Sequence, residues 1–177
     1  EVLDRKAMLK NTFLRPFKAV AGMADRYQTW RKDKRAVFHY VSAGPWQLYA
    51  PLRRFQRRAK LPDGSFHMRM MRLKDSSGLS FLKGDSKDYK VKTIRGLIEK
   101  LPKRAYVLVG DSGEKDPEIY GIIARTFPKK IRAIYIRKVP GAKNDAGRFE
   151  TAFSGVPKGR WSVFEDAGTL PADPWAG

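Results

Sequence analysis

The stretch that decides the fold is Tyr106–Tyr120, with the sequence YVLVGDSGEKDPEIY. It opens with an apolar run, Tyr106–Val109, which predicts a buried strand. A turn with two glycines and two aspartates follows, and Pro117 then suits the first turn of a helix. Asp111 and Asp116 are therefore expected at the carboxyl end of a strand, where open α/β sheets hold their ligands.

Strand and helix patterns alternate on both sides of this stretch. Further strands are predicted at 36–41, 65–70, 131–136 and 161–164, and helices at 45–59, 94–101 and 118–126. This alternation predicts an α/β fold with a parallel sheet covered by helices on both faces. Ser42 would lie just beyond the end of its strand, at the same edge of the sheet as Asp111.

The whole chain, residues 1–177, is assigned to one domain. We divide it into a helical, cap-like segment at 1–32, a core at 36–168 and an irregular tail at 169–177. Pro16 should break the first segment into two helical pieces. The basic face of this segment could lie on an anionic membrane, or the segment could pack on the rest of the domain. Residues 74–88 and 140–160 are predicted to be loops.

The composition limits the possible partners. The 177 residues include 37 Lys and Arg against 18 Asp and Glu, which gives a net charge of +19. Such an excess favours a polyanionic partner, namely nucleic acid, an anionic membrane surface or a phosphorylated substrate, although a solvated basic surface is the alternative. The chain has no cysteine, which excludes disulfides and thiolate chemistry. No apolar run is long enough for a transmembrane helix.

The polar residues at the sheet edge indicate phosphoryl chemistry. Asp111 and Asp116 suit Mg²⁺, which takes one or two protein carboxylates together with phosphate oxygens and water. The Ser42 hydroxyl, nearby backbone amides and a lysine would hold a phosphate group. Ser112 lies in a Gly-Asp-Ser-Gly tetrapeptide typical of serine proteases. The alternation of strands and helices argues against that interpretation, because trypsin-like proteases are all-β.

Several segments together resemble the catalytic domain of the fungal actin-patch phosphatidate phosphatase family and its bacterial relatives. That domain is related to the lipin catalytic domain and belongs to the haloacid-dehalogenase superfamily. The resemblance runs from about residue 2 to about residue 168. It rests on the segments Phe38–Ser42, Pro45–Tyr49, Pro62–Phe66, Tyr89–Lys90, Val109–Glu114 with Asp116, and Ile134–Arg137.

The resemblance implies a role for each matching residue. Ser42, with Ala43, looks like the second motif that binds the substrate phosphate. Lys90 looks like the third-motif lysine that neutralises it, with Lys92 as a nearby rival. Asp111 and Asp116 look like the acidic pair of the fourth motif, which binds Mg²⁺. A haloacid-dehalogenase-like, Rossmannoid sheet is implied as well.

One departure from the family is plain. The first motif, Asp-x-Asp-Asp-Thr, supplies the nucleophilic aspartate, and no Asp-x-Asp occurs in the 177 residues. We expect this motif just upstream of Glu1 in the intact protein, and the central strand that carries it to be missing from the sheet of this chain. A pseudoenzyme is the alternative.

The site residues and the basic surface predict a Mg²⁺-dependent phosphatase that hydrolyses a phosphomonoester. The resemblance implies phosphatidate as the substrate and an aspartyl-phosphate as the intermediate. This chain alone should be inactive. The expected substrate is a phosphorylated small molecule or phospholipid, and the expected location is cytoplasmic, with peripheral contact to an anionic membrane. A basic nucleic-acid-binding module and a lipid-binding domain without turnover are the alternatives.

Overall fold

A computed structural model describes residues 17–34, 36–70 and 86–175 of the chain. Its five α-helices in these ranges are α1 (Met23–Lys34), α2 (Tyr49–Arg58), α3 (Ser86–Lys100), α4 (Asp116–Thr126) and α5 (Ala146–Ala152). The five strands are β1 (Phe38–Pro45), β2 (Gly64–Arg69), β3 (Tyr106–Asp111), β4 (Ile131–Arg137) and β5 (Trp161–Phe164). Short 3₁₀ turns lie at Trp46–Leu48, Lys158–Arg160 and Ala167–Thr169.

The strands form two parallel sheets, where the sequence predicts one parallel sheet that lacks its central strand. One sheet pairs β1 with β2, and the other has the order β3-β4-β5. Among the described residues, no strand pairing joins β1 to β3. The α/β class, the parallel strand direction and the flanking helices are as predicted.

Helices cover both faces of the three-stranded sheet. On one face, Ile94 and Ile98 of α3 and Ile119 and Ile123 of α4 pack with Leu108 of β3. α5 adds Phe149 and Ala152 to this cluster, which accounts for a helix where a loop is predicted. Its start is fixed by Asp145, whose side chain accepts a hydrogen bond from the backbone N–H of Arg148.

The opposite face of the same sheet is covered by α1. Met23 and Trp30 are buried there against Tyr135 of β4, together with Phe164 and Leu170. The first segment therefore packs on the core over residues 23–34, and residues 17–22 are not helical. The predicted helical piece before Pro16 lies outside the described residues, as does most of the predicted loop at 74–88.

A cleft of about 910 Å³ separates the two sheets. Its lining is mostly apolar and includes residues of β1, such as Val41, and residues of β3, such as Val107 and Val109. Tyr27 and Trp30 of α1 and Trp175 near the end of the chain also line it. The facing edges of β1 and β3 therefore lie across an open space, without strand hydrogen bonds between them.

The element boundaries near the predicted site differ from the predictions. β1 extends to Pro45, so Ser42 and Ala43 lie within the strand rather than beyond it. Regular pairing with β2 ends at Ser42, where the register shifts before Pro45. α3 begins at Ser86, so Lys90 lies on a helix instead of in the segment that leads to one. Among the described residues, no helix has both the length and the apolar character needed to span a bilayer.

Candidate active site

The centre of the site is an ion pair between α3 and α4. Lys90 Nζ donates a hydrogen bond to Asp116 Oδ1 at 2.6 Å and a longer one to Glu114 Oε2 at 3.3 Å. The side chains of Lys90 and Asp116 are each only 12% exposed, whereas that of Glu114 is 67% exposed. Asp116 is the first residue of α4, so its carboxylate also faces the positive end of that helix dipole.

Asp111, the last residue of β3, is joined to this pair through its backbone. Its N–H donates to Asp116 Oδ2 at 3.2 Å, while its own Oδ1 accepts a hydrogen bond from Gly113 N at 2.8 Å. The two aspartates are thus held on the two ends of one short turn. The structure brings Lys90, Asp111 and Asp116 together as the sequence predicts.

Burial and charge act in opposite directions on the ion pair. Burial raises the pKa of the Asp116 carboxyl above its ordinary value, and Lys90 together with the Asp111 N–H offsets this only in part. Burial also disfavours the charged form of Lys90, but the attraction of Asp116 and Glu114 outweighs it and raises the pKa of Lys90. At 2.6 Å, we assign the pair as ammonium and carboxylate.

Gly110 makes the position of Asp116 possible. A Cβ atom at residue 110 would lie 2.6 Å from Asp116 Oδ2 and 2.8 Å from the ring of Tyr120. Tyr120 in turn donates its hydroxyl hydrogen to Val109 O at 2.9 Å, which fixes α4 against β3. The glycine therefore lets the carboxylate lie directly over the strand backbone.

Arg148 of α5 stabilises the turn between Asp111 and Asp116, which we call the acidic turn, by hydrogen bonds from outside it. Its guanidinium donates to both carboxylate oxygens of Glu118, at 2.8 and 3.1 Å, and to three backbone carbonyls. Two of these carbonyls, Ser112 O at 2.7 Å and Glu114 O at 2.5 Å, belong to the turn between Asp111 and Asp116. Burial opposes the charge on Glu118, but the hydrogen bonds from Arg148 lower the pKa of Glu118 overall.

Ser112 is structural. It is buried, with 1% of its surface exposed, and its hydroxyl donates to Asn144 Oδ1 at 2.5 Å while accepting from Val139 N at 2.9 Å. The two histidines of the chain are elsewhere: His39 Nδ1 and His67 Nε2 lie 2.6 and 2.8 Å from Ser65 Oγ. This arrangement is inconsistent with Ser112 as a protease nucleophile.

Ser42 and Ala43 lie in β1, on the far side of the cleft from β3. The Ser42 hydroxyl accepts a hydrogen bond from Gly44 N at 3.1 Å, and Ser42 lines the cleft. Within the described part of the chain, no hydrogen bond joins Ser42 to Lys90 or to either aspartate. Lys92 is exposed, so the structure brings Lys90 rather than its rival to the acidic turn.

Asp111 and Asp116 are the residues of the site that could supply carboxylate ligands to a hard cation. The described residues contain no cluster of three or more His, Cys, Asp or Glu side chains that could enclose a metal ion. Mg²⁺ needs no such cage, because one or two carboxylates with water and phosphate oxygens complete its octahedron. Asp111 and Asp116 supply the number of carboxylates that such a shell needs.

Sequence reasoning missed Arg148 and Asn144, since both lie in the segment that we predicted to be a loop. A signal was present: Asp145 can cap a helix, and Phe149 and Ala152 follow at helical spacing. The sequence gives Glu114 and Glu118 no role of their own, because nothing local indicates which carboxylate faces a distant arginine or lysine.

The fold and the site define an α/β protein with a lysine and two aspartates at one sheet edge. The chain matches the family model described as the catalytic domain of phosphatidate phosphatase APP1, over residues 1–138, and it belongs to that family. It is 33% identical over 146 residues to the phosphatidate phosphatase APP1 of Saccharomyces cerevisiae, an alignment that covers 80% of this chain.

A second relative is an uncharacterized protein of Schizosaccharomyces pombe, 30% identical over 133 residues and 73% of this chain. The alignments cover only 24% and 21% of the lengths of these two proteins. No solved structure matches the chain. Arg148 and Asn144 lie beyond the residues that the family model matches.

Proposed function

We propose that the protein containing this chain is a Mg²⁺-dependent phosphatase that hydrolyses phosphatidate or a similar phosphomonoester. The observation that carries this proposal is the buried contact of Lys90 with Asp116, beside Asp111, at the carboxyl end of β3. Membership of the phosphatidate phosphatase APP1 catalytic-domain family supports the same reaction class.

In this proposal, Ser42 and Ala43 of β1 and Lys90 of α3 bind the phosphate group. Asp111 and Asp116 would hold a magnesium ion, which would supply neutralisation of the charge on the phosphate oxygens. Arg148 positions the turn between the two aspartates. The desolvated surroundings of Lys90 and Asp116 strengthen each of these electrostatic contacts.

The nucleophile is an aspartate that the 177 residues do not contain. Its carboxylate oxygen bonds to phosphorus while the bond between phosphorus and the ester oxygen breaks, and that oxygen takes up a proton from the solvent and leaves as the alcohol. Water then cleaves the aspartyl-phosphate and releases inorganic phosphate. We propose that this aspartate is carried by an extended segment in the cleft between β1 and β3. Support for this comes from the apolar lining of the cleft and from the facing edges of β1 and β3, which have no strand partner among the residues that the structure describes.

The test measures phosphate release from phosphatidate, with magnesium or with EDTA, by the longer protein that contains this chain. Asp111→Asn and Asp116→Asn should each lower the rate at least about a hundredfold. Asp63→Asn is the matched control, because Asp63 pairs with Arg53 on the surface, away from the site. An Asp111→Asn enzyme as active as wild type would refute the site. Magnesium-dependent release by the 177-residue chain alone would refute the placement of the nucleophile.

A further inference from the structure

Two imidazoles and one hydroxyl group converge between β1 and β2. His39 Nδ1 lies 2.6 Å from Ser65 Oγ, and His67 Nε2 lies 2.8 Å from the same oxygen atom. His39 and Ser65 are paired neighbours on the two strands, and His67 follows Ser65 by two residues. The three side chains therefore leave the sheet on one face, and each ring directs a nitrogen atom at the same point.

The protonation of this cluster leaves both rings able to act as ligands. A serine hydroxyl has one hydrogen, so Ser65 donates to one imidazole and accepts from an N–H of the other. Burial lowers the pKa of both imidazoles, and for His67 the charges of His39 and Lys100 lower it further. Both rings are therefore neutral at pH 7.5. A neutral ring needs only to carry its hydrogen on the other nitrogen to offer a lone pair at the shared point.

The separation of the two rings suits a shared metal ion. The ring centroids of His39 and His67 lie 5.6 Å apart. Two imidazoles that bind one ion at the usual Zn–N distance of about 2.0–2.1 Å, at a tetrahedral or slightly wider angle, have centroids about 5.2–5.6 Å apart. Small rotations of the two side chains therefore bring both nitrogen atoms within bonding distance of one ion.

The ligand chemistry of the chain favours this position for a transition metal. His39 and His67 are the two histidines of the sequence, which has no cysteine. Imidazole suits Zn²⁺ and Cu²⁺, whereas carboxylates and water suit Mg²⁺. Within the described ranges, no group of three or more His, Cys, Asp or Glu side chains could enclose a metal ion. Water would therefore complete the ligand shell, and the exposed position of Ser65 leaves room for it.

The convergence point is separate from the candidate active site. His39 is the second residue of β1 and lies near its amino end, whereas the site is at the carboxyl ends of the strands. The charge of Lys100 acts on His67, and Lys100 is the last residue of α3. Lys90 lies ten residues earlier in the same helix, which is about 15 Å along its axis.

We propose that His39 and His67 together bind a divalent transition-metal ion, Zn²⁺ in particular, between β1 and β2. Two metal–nitrogen bonds replace the hydrogen bonds through Ser65, and water completes the tetrahedral shell. Each strand supplies one ligand, so the ion cross-links β1 to β2 and stabilises the two-stranded sheet. The inference is independent of the proposed function, because it requires neither the acidic turn nor a catalytic step.

The test measures Zn²⁺ binding to the untagged 177-residue chain by isothermal titration calorimetry at pH 7.5. Millimolar Mg²⁺ is present throughout, to occupy the carboxylates of the acidic turn. We expect one Zn²⁺ per chain, bound more weakly by His39→Gln and by His67→Gln. Loss of a residue that only supports a ligand costs about 10–100-fold in metal affinity, so loss of a ligand should cost at least as much. Asp111→Asn, a change at the other candidate cation site, is the control and should leave the Zn²⁺ affinity unchanged.

A gain of affinity tests the geometry directly. Ser65→His places a third imidazole at the convergence point and creates the three-histidine set that some catalytic zinc sites use. This variant should bind Zn²⁺ at least about tenfold more tightly. Ser162→His is the matched control, because Ser162 is also an exposed strand residue but lies on β5, away from both histidines. It should bind Zn²⁺ as wild type does.

Amide hydrogen exchange gives a second readout. Zn²⁺ should slow exchange in β1 and β2 of the wild-type chain but not in His67→Gln, and should leave β4 unchanged. The proposal fails if both glutamine variants bind Zn²⁺ as wild type does, or if Asp111→Asn abolishes binding. It also fails if Ser65→His binds no more tightly than Ser162→His, or if bound Zn²⁺ does not protect β1 and β2. Phosphate release is not measured in any of these experiments, so this proposal and the proposed function can fail separately.

Discussion

Gly110 determines where the Asp116 carboxylate lies, because it has a hydrogen atom where other residues have a side chain. Because its α-carbon carries no side chain, the Asp116 carboxylate can lie close enough to β3 to accept the Asp111 N–H. The contact ties the strand end to the start of α4. A single methyl group at this position would therefore disturb both the packing of Tyr120 and the placement of Asp116.

Gly110→Ala should lower the free energy of unfolding by about 1–3 kcal/mol, the usual cost of forcing an extra carbon into a packed position. Gly96→Ala is the matched control in α3, since a Cβ there meets no atom within 4 Å. That change should be neutral or stabilise by up to about 1 kcal/mol, because alanine favours the helix. Urea unfolding of both variants makes the comparison, and equal effects would contradict the packing argument.

Arg148 stabilises the turn between Asp111 and Asp116 through hydrogen bonds, whereas Gly110 acts by leaving space for it. Arg148→Ala leaves Glu118 and the carbonyls of Ser112 and Glu114 without their donor, and should lower the free energy of unfolding by about 2–4 kcal/mol. Arg148→Lys should recover only part of this, because an ammonium cannot reproduce the planar fork. Arg95→Ala is the control, since its 3.8 Å contact with Glu99 is on the surface. Full recovery by lysine in urea unfolding would refute the proposed geometry.

At the scale of elements, β1 and β2 are joined by a pair of histidines as well as by their backbones. His39 and His67 share the Ser65 hydroxyl, and their rings lie 5.6 Å apart. Burial lowers the pKa of both imidazoles below 6.5, and for His67 the repulsion from His39 and Lys100 adds to the effect.

Because the pKa values of the two histidines are lower in the folded state, the free energy of unfolding should decrease as the pH falls. The unfolded chain takes up protons on these histidines first, so their contribution to stability is complete above about pH 6.5 and falls as the pH drops through their lowered pKa values. Urea unfolding between pH 7.5 and 5.5 should show this decline. The double variant His39→Gln, His67→Gln should be flatter over the same range, and a wild-type slope in that variant would refute the interpretation.

Elements with a strong local pattern could be predicted, and those fixed by distant contacts could not. The apolar runs of β3, β4 and β5 and the Pro117 signal for α4 placed these elements within about two residues. α5 was missed because its seven residues carry only a short local signal, the Asp145 cap and the spacing of Phe149 and Ala152, while the contacts of Phe149 and Arg148 are with residues distant in sequence. The sequence predicts that Lys90, Asp111 and Asp116 lie near one another, as they do, whereas their burial and the Arg148 contacts depend on tertiary structure.

On the scale of the whole molecule, the two sheets differ in how many buried apolar side chains pack against them. Both buried clusters centre on the sheet of β3, β4 and β5. β1 contributes only partly buried side chains to them, Phe38 and Val41, and its other edge faces the cleft. The β1–β2 unit should therefore open at a lower free energy than the three-stranded sheet.

Amide hydrogen exchange followed by mass spectrometry tests this difference. Peptides from β1 and β2 should exchange faster than peptides from β4, which is hydrogen-bonded on both sides. β5, an edge strand of the better supported sheet, is the internal control and should be intermediate. Equal protection of β1 and β4 would show that the cleft does not weaken the first sheet.

The contacts of Arg148 also bear on where the folded unit ends. A chain cut at residue 138, the last residue that the family model matches, would keep both aspartates and Lys90. It would lose β5, leaving β4 as a bare edge, and with α5 it would lose Phe149 and the guanidinium that fixes the acidic turn. The part of the sequence that the family model matches is therefore shorter than the part on which the turn between the two aspartates depends, because the segment after β4 supports that turn from outside.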